Sequence, residues 1–286
     1  MSKRNLCKIS PGFEDIMPEE YRDLVEQGPY GKDLGVAEMG SFKELFEEHP
    51  LCAGCGLAMS MRLILVALPN PEDTVVVGST GCSAVAFPQV ALHNIHSLFG
   101  NQNAVASGLK RALSLRFPDM VKDVVVIAGD GAICDIGLDS VLHSWFRGEK
   151  ITTIMLDNEA YANTGGQESG MTQPGTVLNM APKGKKFGKV AVPEIARESG
   201  CVYVAVISPA KPKNLEKTIR RAILLAREVG PTYVQILTPC PTNYKFKPNE
   251  TLAKIKEQEK QGTFRPREYF TPEAEAFIKQ LEEVKG

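Results

Sequence analysis

The chain has 286 residues, of which 43% are hydrophobic and 23% are charged, and its formal net charge at pH 7 is −1. These values are typical of a globular protein with a sizeable core, and the balanced charge argues against a nucleic-acid-binding protein. The N-terminal segment lacks the apolar stretch of a signal peptide, and no apolar run approaches the roughly 18–20 residues of a membrane span, so we expect a cytoplasmic protein.

The hydrophobic pattern divides the chain into three parts. Residues 1–48 combine many charges, glycines and prolines with little periodicity, and we interpret them as an arm that wraps a partner or the body of the protein. Residues 49–245 form the main domain. Residues 246–286 are a charged tail with several prolines, in which one closing helix is predicted near 272–284.

The main domain is predicted to be α/β, a doubly wound and mostly parallel sheet with helices on both faces. Strands that are apolar throughout and alternate with helices of about 10–15 residues indicate this architecture. The segment 159–191 is rich in Gly, Thr, Gln and Lys and has no clear period, and so long a loop is expected to have a function. The predicted strands are 74–78, 123–130, 151–158, 201–208 and 231–238, and the predicted helices are 56–68, 84–94, 103–116, 136–148, 192–200 and 214–230.

The strand predicted at 123–130 ends in Gly129-Asp130-Gly131, where the chain turns into a helix. In a doubly wound sheet, ligands bind at the carboxyl ends of the strands. The glycines allow the backbone to approach a phosphate closely, and the following helix offers free N–H groups to an anion. The carboxylate of Asp130 is a hard oxygen ligand suited to Mg²⁺. Taken alone, the motif is also compatible with a plain strand-to-helix turn.

Asn158 ends the next predicted strand, 28 residues after Asp130. One strand–helix–strand unit has about that length, so both side chains are expected at the same edge of the sheet. Asn158 would offer an amide oxygen to the same ion, and Ala160 a backbone carbonyl. A GDG followed at this distance by Asn at a strand end is typical of thiamine diphosphate sites. The sequence therefore predicts thiamine diphosphate with Mg²⁺ at this edge.

The seven cysteines are Cys7, Cys52, Cys55, Cys82, Cys134, Cys201 and Cys240. An odd number spread over a long chain argues against a disulfide framework and favours metal binding or buried thiols. Cys52 and Cys55 form a CxxC motif, whereas Cys82 and Cys240 each follow a predicted strand, so these four can converge at one end of the sheet. Four thiolates can hold a [4Fe–4S] cluster or Zn²⁺, and the spacing alone does not decide between them.

The stretch Gly129–Gly170 resembles the thiamine-binding segment of the 2-oxoacid:ferredoxin oxidoreductases. Its motif NTGGQ, at 163–167, is a mark of the pyruvate-type branch of that family. In size the chain is similar to the separate β subunit of a multi-subunit member. The resemblance runs from about residue 50 to residue 244 and includes the stretches GCSAV (81–85), SLFGNQNAVASGLK (97–110) and TPCPTN (238–243).

The resemblance implies a thiamine diphosphate-binding fold and the oxidative decarboxylation of a 2-oxoacid such as pyruvate. Electrons would pass singly to a ferredoxin, usually with coenzyme A as the acyl acceptor. It also implies that Asn163, supported by Thr164, contacts the substrate. The implied ligands of a [4Fe–4S] cluster beside the thiamine are Cys52, Cys55, Cys82 and Cys240. The implied contacts to thiamine diphosphate and Mg²⁺ are Gly81, Cys82, Asn103, Gly129, Asp130, Gly131, Ala132, Asn158 and Ala160.

Two parts of such an enzyme have no motif in this sequence. Thiamine enzymes use a Glu to activate the cofactor, and in this family it comes from a facing domain, so we expect it on a partner subunit. The CxxCxxCxxxCP run of two-cluster ferredoxins is also missing, so onward electron transfer requires another subunit. The chain is therefore expected to be inactive alone.

Three alternatives remain open from the sequence. The substrate can be another 2-oxoacid, including oxalate, for which coenzyme A would not be needed. A non-oxidative thiamine decarboxylase or synthase half would contain thiamine without iron. A zinc-stabilised α/β scaffold protein would contain zinc and no thiamine. The identity of the metal separates the iron–sulfur enzyme from the last two.

Overall fold

The computed structural model describes residues 49–283, so the predicted arm at 1–48 and Cys7 lie outside the described residues. Within 49–283, seven strands form one sheet in the order β2-β1-β3-β4-β6-β5-β7. All neighbours pair in parallel except β7, which is antiparallel to β5. The strands are β1 Thr74–Ser79, β2 His93–Ser97, β3 Asp123–Gly129, β4 Thr152–Asp157, β5 Tyr203–Ile207, β6 Thr232–Leu237 and β7 Arg267–Phe270.

Helices cover both faces of the sheet, and a π-helical turn at Gly131–Asp135 precedes α4. No helix of the described residues is long and apolar enough to cross a membrane. The helices are α1 Gly56–Ala67, α2 Cys82–Ala86, α3 Gln102–Arg116, α4 Leu138–Phe146, α5 Val192–Glu198, α6 Pro212–Glu228, α7 Pro241–Tyr244, α8 Thr251–Gln261 and α9 Pro272–Glu283.

The apolar strands fill two cores because successive side chains of a strand point to opposite faces. Val125 and Ile127 of β3 pack in the core that includes helices α1 and α6. Val124 and Val126 pack in the other core, which includes α4 and α5. Burial on both faces explains why the central strands are continuously apolar in sequence. The predicted doubly wound, mostly parallel fold is thus confirmed.

The helix predicted at 84–94 is wrong. Helix α2 ends at Ala86, a 3₁₀ turn spans Phe87–Gln89, and the chain then forms strand β2. Pro88 lacks the N–H that a continuing helix needs. Strand β2 is at the edge of the sheet, and four of its five side chains are exposed. It therefore lacks the apolar pattern that identifies the central strands in the sequence.

The C-terminal region contains more structure than the single closing helix predicted near 272–284. That helix is present as α9, but α8 and β7 precede it. Because β7 pairs with β5, this region extends the main sheet. The segment 159–191 contains no regular helix or strand and only two isolated bridges, as predicted. The division of the chain at residues 48 and 245 stays a prediction.

The parallel strands bring four loops to one edge of the sheet. Strands β1, β3, β4 and β6 are neighbours, so the residues that follow them emerge at the same carboxyl edge. The four loops begin at Thr80, Asp130, Asn158 and Thr238. They include the GDG motif, Asn158 and two of the four cysteines of interest. The topology therefore brings these segments to one edge of the sheet.

Candidate active site

An open cleft lies at the carboxyl edge, where the loops after β1, β3 and β4 meet. Its empty volume is about 550 Å³, which includes open solvent at its mouth. Its wall combines glycines, small apolar residues, one carboxylate and one cysteine. The lining residues are Leu57, Thr80, Gly81, Cys82, Ser83, Phe99, Gly129, Asp130, Gly131, Ala132, Asn158, Ala160, Tyr161, Ala162, Asn163 and Thr164.

Glycines leave part of the cleft wall as bare backbone. A Cβ atom added to Gly81 or Gly129 would meet no protein atom within 4 Å. Gly81 also has φ +141°, which an L side chain rarely adopts. At Gly131 a Cβ would come within 2.4 Å of the Tyr161 ring. The backbone is therefore accessible to a ligand in the cleft, as a phosphate group requires.

Asp130 is a buried carboxylate at the floor of this cleft, with only 1% of its surface exposed. Its Oδ2 accepts a hydrogen bond of 2.5 Å from Ser169 Oγ. Burial, and next the negative charge of Asp157, raise the pKa of Asp130 well above its usual value, whereas the Ser169 bond opposes this shift. None of the ion pairs of residues 49–283 includes Asp130. The site therefore favours a cation beside this carboxylate.

Asn158 and Ala160 belong to a tight turn at the end of β4. The side-chain oxygen of Asn158 accepts a 3.1 Å bond from the N–H of Ala160, and Asp157 accepts one of 3.1 Å from Glu159. Glu159 has φ +60°, a left-handed conformation that is uncommon for a residue other than glycine. Because β3 and β4 are paired neighbours, Asp130 and Asn158 line the same cleft, as their spacing predicts.

The NTGGQ motif forms a closed loop at the mouth of the cleft. The N–H of Gly166 donates to the carbonyl of Tyr161, at 2.9 Å, and Thr164 Oγ1 donates to Gln167 Oε1, at 2.7 Å. Tyr161 is itself fixed by a 2.7 Å bond from its hydroxyl to Asp135. Asn163 and Thr164 are exposed within the cleft wall. This arrangement leaves the Asn163 amide available to a small molecule.

Cys52, Cys55, Cys82 and Cys240, here called the cysteine tetrad, lie beside the cleft. All four are free thiols. The N–H of Gly56 donates to the carbonyl of Pro239, at 3.2 Å, which places the CxxC motif against the segment that contains Cys240. Burial, and then the charges of the other three thiolates, raise the pKa of Cys82 to about 12.

Cys82 is shared by the tetrad and the cleft, because it is one of the four cysteines and also lines the cleft. Burial raises the pKa of Cys55 and of Cys240 as well, and charge on neighbouring thiols adds to both shifts. Within residues 49–283, however, no three His, Cys, Asp or Glu side chains are grouped so that they could ligate one metal ion. The four thiols of the tetrad are therefore near one another but are not arranged as ligands of one metal ion.

One predicted contact residue lies elsewhere. Asn103 is fully buried, and its amide donates to Ser144 Oγ at 3.0 Å and to Thr153 Oγ1 at 2.9 Å. It does not line the cleft, so the structure gives Asn103 a packing role between helices and sheet. Its neighbour Gln102 instead donates to the carbonyl of Ala132, at 2.9 Å, and supports the turn after GDG from behind.

Several residues of the site were not predicted from the sequence. Ser169 bonds Asp130, and Asp135 holds both the Tyr161 hydroxyl and the N–H of Gly170. Phe99 lines the cleft and packs edge-on against Tyr161, with ring centroids 6.1 Å apart. Ser169 lies in a segment without a period, and no local motif marks it. Asp135 lies five residues after Asp130, which is not the spacing of residues on one helix face, so no local motif marks it either.

Comparison with known proteins agrees with the fold and the cleft. Residues 75–236 match the family model described as thiamine pyrophosphate enzyme, C-terminal TPP binding domain. This range runs from β1 to β6 and includes the GDG turn and the turn after β4. The fold and the site therefore define a thiamine pyrophosphate-binding protein.

Relatives narrow this class further. The pyruvate synthase subunit PorB of Methanothermobacter marburgensis is 40% identical over 215 residues, which cover 71% of this chain and 72% of that protein. The subunit PorB of Thermotoga maritima is 32% identical over 253 residues, which cover 82% and 74%. A solved structure of 2-oxoglutarate:ferredoxin oxidoreductase from Magnetococcus marinus has a TM-score of 0.62 and 27% identity, and the match covers 75% of this chain and 72% of that one.

The chain belongs to the 2-oxoacid:ferredoxin oxidoreductases, as a β subunit of the pyruvate-type branch. The resemblance seen in the sequence is thereby confirmed.

Proposed function

We propose that this chain is the cofactor-bearing subunit of an enzyme that oxidatively decarboxylates a 2-oxoacid, with pyruvate as the first candidate, and reduces ferredoxin. The observation that carries the proposal is the contact between two sites: Cys82 lines the thiamine cleft and also belongs to the cysteine tetrad. A non-oxidative thiamine enzyme has no use for four thiols beside its cleft. An enzyme that must remove electrons from its substrate needs a redox centre at that position.

Thiamine diphosphate and Mg²⁺ fit the residues of the cleft. The side-chain oxygens of Asp130 and Asn158 and the carbonyl of Ala160 would hold Mg²⁺, which prefers such oxygen ligands. The buried Asp130 carboxylate and the bare backbone at Gly81 and Gly129 support this assignment. Gly131 and Ala132 would offer backbone N–H groups to the diphosphate. When bound, thiamine diphosphate supplies the electron sink that decarboxylation requires.

The tetrad fits a [4Fe–4S] cluster by the chemistry of its donors. Thiolates beside one another and partly buried are unfavourable without a cation, as the raised pKa of Cys82 indicates. Metal binding would remove their protons and compensate the charge of the thiolates. Zinc would satisfy the same thiolates, but it exchanges no electrons. The position beside the cleft therefore favours the cluster.

The residues at the mouth of the cleft would position the substrate. The Asn163 amide can donate to the carboxylate or the keto oxygen of a 2-oxoacid, and Thr164 supports this loop through Gln167. Tyr161, fixed by Asp135, forms the adjacent wall. None of these groups is a base strong enough to activate thiamine by itself, so the activating Glu is assigned to a partner subunit.

An apolar rim around the cleft supports contact with that partner. Leu98 precedes the cleft residue Phe99, and Ile136 packs near Gly100. The N–H of Met180 donates to the carbonyl of Gly166, at 3.0 Å. Leu98, Ile136 and Met180 are 60–75% exposed in the chain alone. Such side chains are commonly covered by another subunit.

Further subunits, coenzyme A and a cellular location complete the proposed function. The subunit names of the relatives support further subunits. One of these would carry ferredoxin-type clusters, and coenzyme A would accept the acyl group. A cytoplasmic location suits thiolate ligands, which a reducing compartment preserves. Oxalate stays an alternative substrate, and its oxidation would need no coenzyme A.

The test is substrate-dependent ferredoxin reduction by the complete complex, purified without oxygen. We expect reduction with pyruvate that depends on coenzyme A and on added thiamine diphosphate. Reduction with oxalate alone and without coenzyme A would change the substrate and keep the reaction class. Decarboxylation of pyruvate without any electron acceptor would contradict the redox role and favour a non-oxidative enzyme.

A further inference from the structure

The turn that carries Asn158 and Ala160 has a second side, away from the thiamine cleft. Glu159 lies on that side, is 3% exposed and lines a different cleft, together with Tyr244 and Gln258. Its φ of +60° is unfavourable for a residue with a side chain, and surrounding contacts must maintain it. The carboxylate and the backbone carbonyl of Glu159 make such contacts.

Three side chains hold the Glu159 carboxylate. Lys189 Nζ lies 2.7 Å from its Oε1, and Gln173 Nε2 donates to the same oxygen at 2.9 Å. Gln258 Nε2, from helix α8, donates to Oε2 at 3.0 Å. Lys189 Nζ also lies 3.6 Å from Asp157 Oδ2. One lysine thus bridges the acids on either side of Asn158.

The backbone of Glu159 is fixed in the same way. Its carbonyl accepts bonds from Thr172 Oγ1, at 2.5 Å, and from the Tyr244 hydroxyl, at 2.9 Å. Its N–H donates to Asp157 Oδ1. Thr172 lies in the segment 159–191, and Tyr244 follows the cysteine Cys240 by four residues. The turn is therefore hydrogen-bonded to the segment 159–191 and to helix α7.

The charges explain why the lysine is needed. Asp130, Asp157 and Glu159 are all buried near this turn, and the acids repel one another. Burial disfavours the charge of Lys189, but Asp157 and Glu159 outweigh it and raise the pKa of Lys189. Without this cation, a buried Glu159 carboxylate would lack its charged partner and would favour leaving the turn for solvent.

We propose that Lys189 and Glu159 are positioning residues, whose ion pair holds the turn 158–160 so that the Asn158 and Ala160 oxygens face Mg²⁺ in the cleft. The inference rests on the proposed thiamine and magnesium function. Neither side chain lines the cleft, so both act through the turn. Outer residues that orient metal ligands typically change metal affinity by about 10–100-fold when they are replaced.

The test uses the complete complex after removal of metal and thiamine diphosphate. Calorimetric titration measures the Mg²⁺ concentration required for thiamine diphosphate binding. Lys189→Met should raise this concentration about 10–100-fold, whereas Lys189→Arg should restore much of the loss because it keeps the charge. Lys186→Met is the matched control, since Lys186 is exposed in the same segment, and it should bind as the wild type does. Iron content should stay unchanged in Lys189→Met, whereas the thermal midpoint of the metal-free complex should fall, because the buried Glu159 carboxylate loses its charged partner.

Glu159→Gln provides a second variant that keeps the shape and hydrogen-bonding oxygen of the side chain. It should weaken Mg²⁺ binding as Lys189→Met does. The double variant should bind Mg²⁺ no more weakly than the weaker of the two single variants, because both substitutions remove the same ion pair. Wild-type Mg²⁺ dependence in both single variants, or losses that multiply in the double variant, would overturn the inference alone. Failure of the wild-type complex to bind thiamine diphosphate would overturn the proposed function, and this inference with it.

Discussion

The two edges of the sheet differ in one buried acid: the acids of the amino edge are paired, as are Asp157 and Glu159 at the carboxyl edge, whereas Asp130 is not. At the amino edge, Arg227 binds Asp123 through two hydrogen bonds of 2.8 and 2.5 Å, and Lys122 binds Asp73 at 2.5 Å. At the carboxyl edge, Asp130 is buried and belongs to none of the ion pairs of residues 49–283. The cysteine tetrad and the left-handed Glu159 lie on this same edge.

This difference distinguishes residues that stabilise the fold from residues that a bound ligand would complete. A buried charge with a well-placed partner is satisfied by the chain itself. A buried carboxylate and grouped thiols without a cation are unfavourable in the chain alone, and such departures from local rules are expected where a ligand completes the structure. We therefore expect substitutions at the carboxyl edge to change cofactor content, and substitutions at the amino edge to change folding stability.

The largest effect is expected for Asp130→Ala. Removing this carboxylate should weaken the binding of thiamine diphosphate with Mg²⁺ by at least about 100-fold, because a direct ligand contributes no less than the outer residues that orient it. Calorimetric titration of the complex measures the loss. Asp139→Ala, on the exposed first turn of α4, is the control. Tight binding by Asp130→Ala would remove this residue from the magnesium role.

Cys240→Ser should remove most of the iron and sulfide that this chain contributes to the complex. The tetrad needs four thiolates to hold a [4Fe–4S] cluster, and a serine oxygen is a poor substitute for sulfur. Iron and acid-labile sulfide assays on the complex measure the difference from the wild type. Cys201→Ala, which changes a fully buried core thiol, should keep the full iron content. A full iron content in Cys240→Ser would mean that another residue is the fourth ligand.

Gly129→Ala should weaken thiamine diphosphate binding about tenfold while the fold is preserved. The added methyl group meets no protein atom within 4 Å, so it costs the free protein little, but it projects where the diphosphate would lie. Gly108→Ala, in the open interior of α3, has the same free space and should stabilise the helix slightly without any change in binding. Equal thiamine affinity in both variants would contradict the position of the diphosphate.

Arg227→Met should leave cofactor binding unchanged and lower the free energy of unfolding by about 3 kcal/mol. Arg227 and Asp123 are 14% and 4% exposed, so the substitution leaves an unpaired carboxylate in the interior. Urea unfolding of the metal-free protein measures the loss. Arg197→Met, which breaks an exposed pair with Glu198, should not shift the unfolding midpoint. A loss of thiamine binding in Arg227→Met would show that the two edges are not separate in function.

The sequence predicts the residues of the site that follow strands. Asp130 and Asn158 come at strand ends, so the apolar period of the strands determines both their position and their common edge. Cys82 and Cys240 are brought together for the same reason. Strand β2 escaped prediction because Pro88 interrupts the preceding helix and the exposed edge strand has no apolar pattern.

The contacts that hold the site could not be predicted from local patterns. Ser169 lies 39 residues from Asp130, and Gln258 lies 99 residues from Glu159. Lys189 belongs to an aperiodic segment whose course depends on tertiary contacts. Asn103 is the opposite case. Its position in a motif predicted a contact to the cofactor, but its amide donates to two buried hydroxyl groups.

The most direct test of the central claim is the metal and sulfide content of the complete complex, purified without oxygen. After the clusters of the other subunits are subtracted, our account predicts about four iron atoms and four acid-labile sulfides for each copy of this chain. It also predicts one thiamine diphosphate for each copy. Zinc in place of iron, with no sulfide assigned to this chain, would contradict the account and leave a thiamine-binding subunit without a redox role.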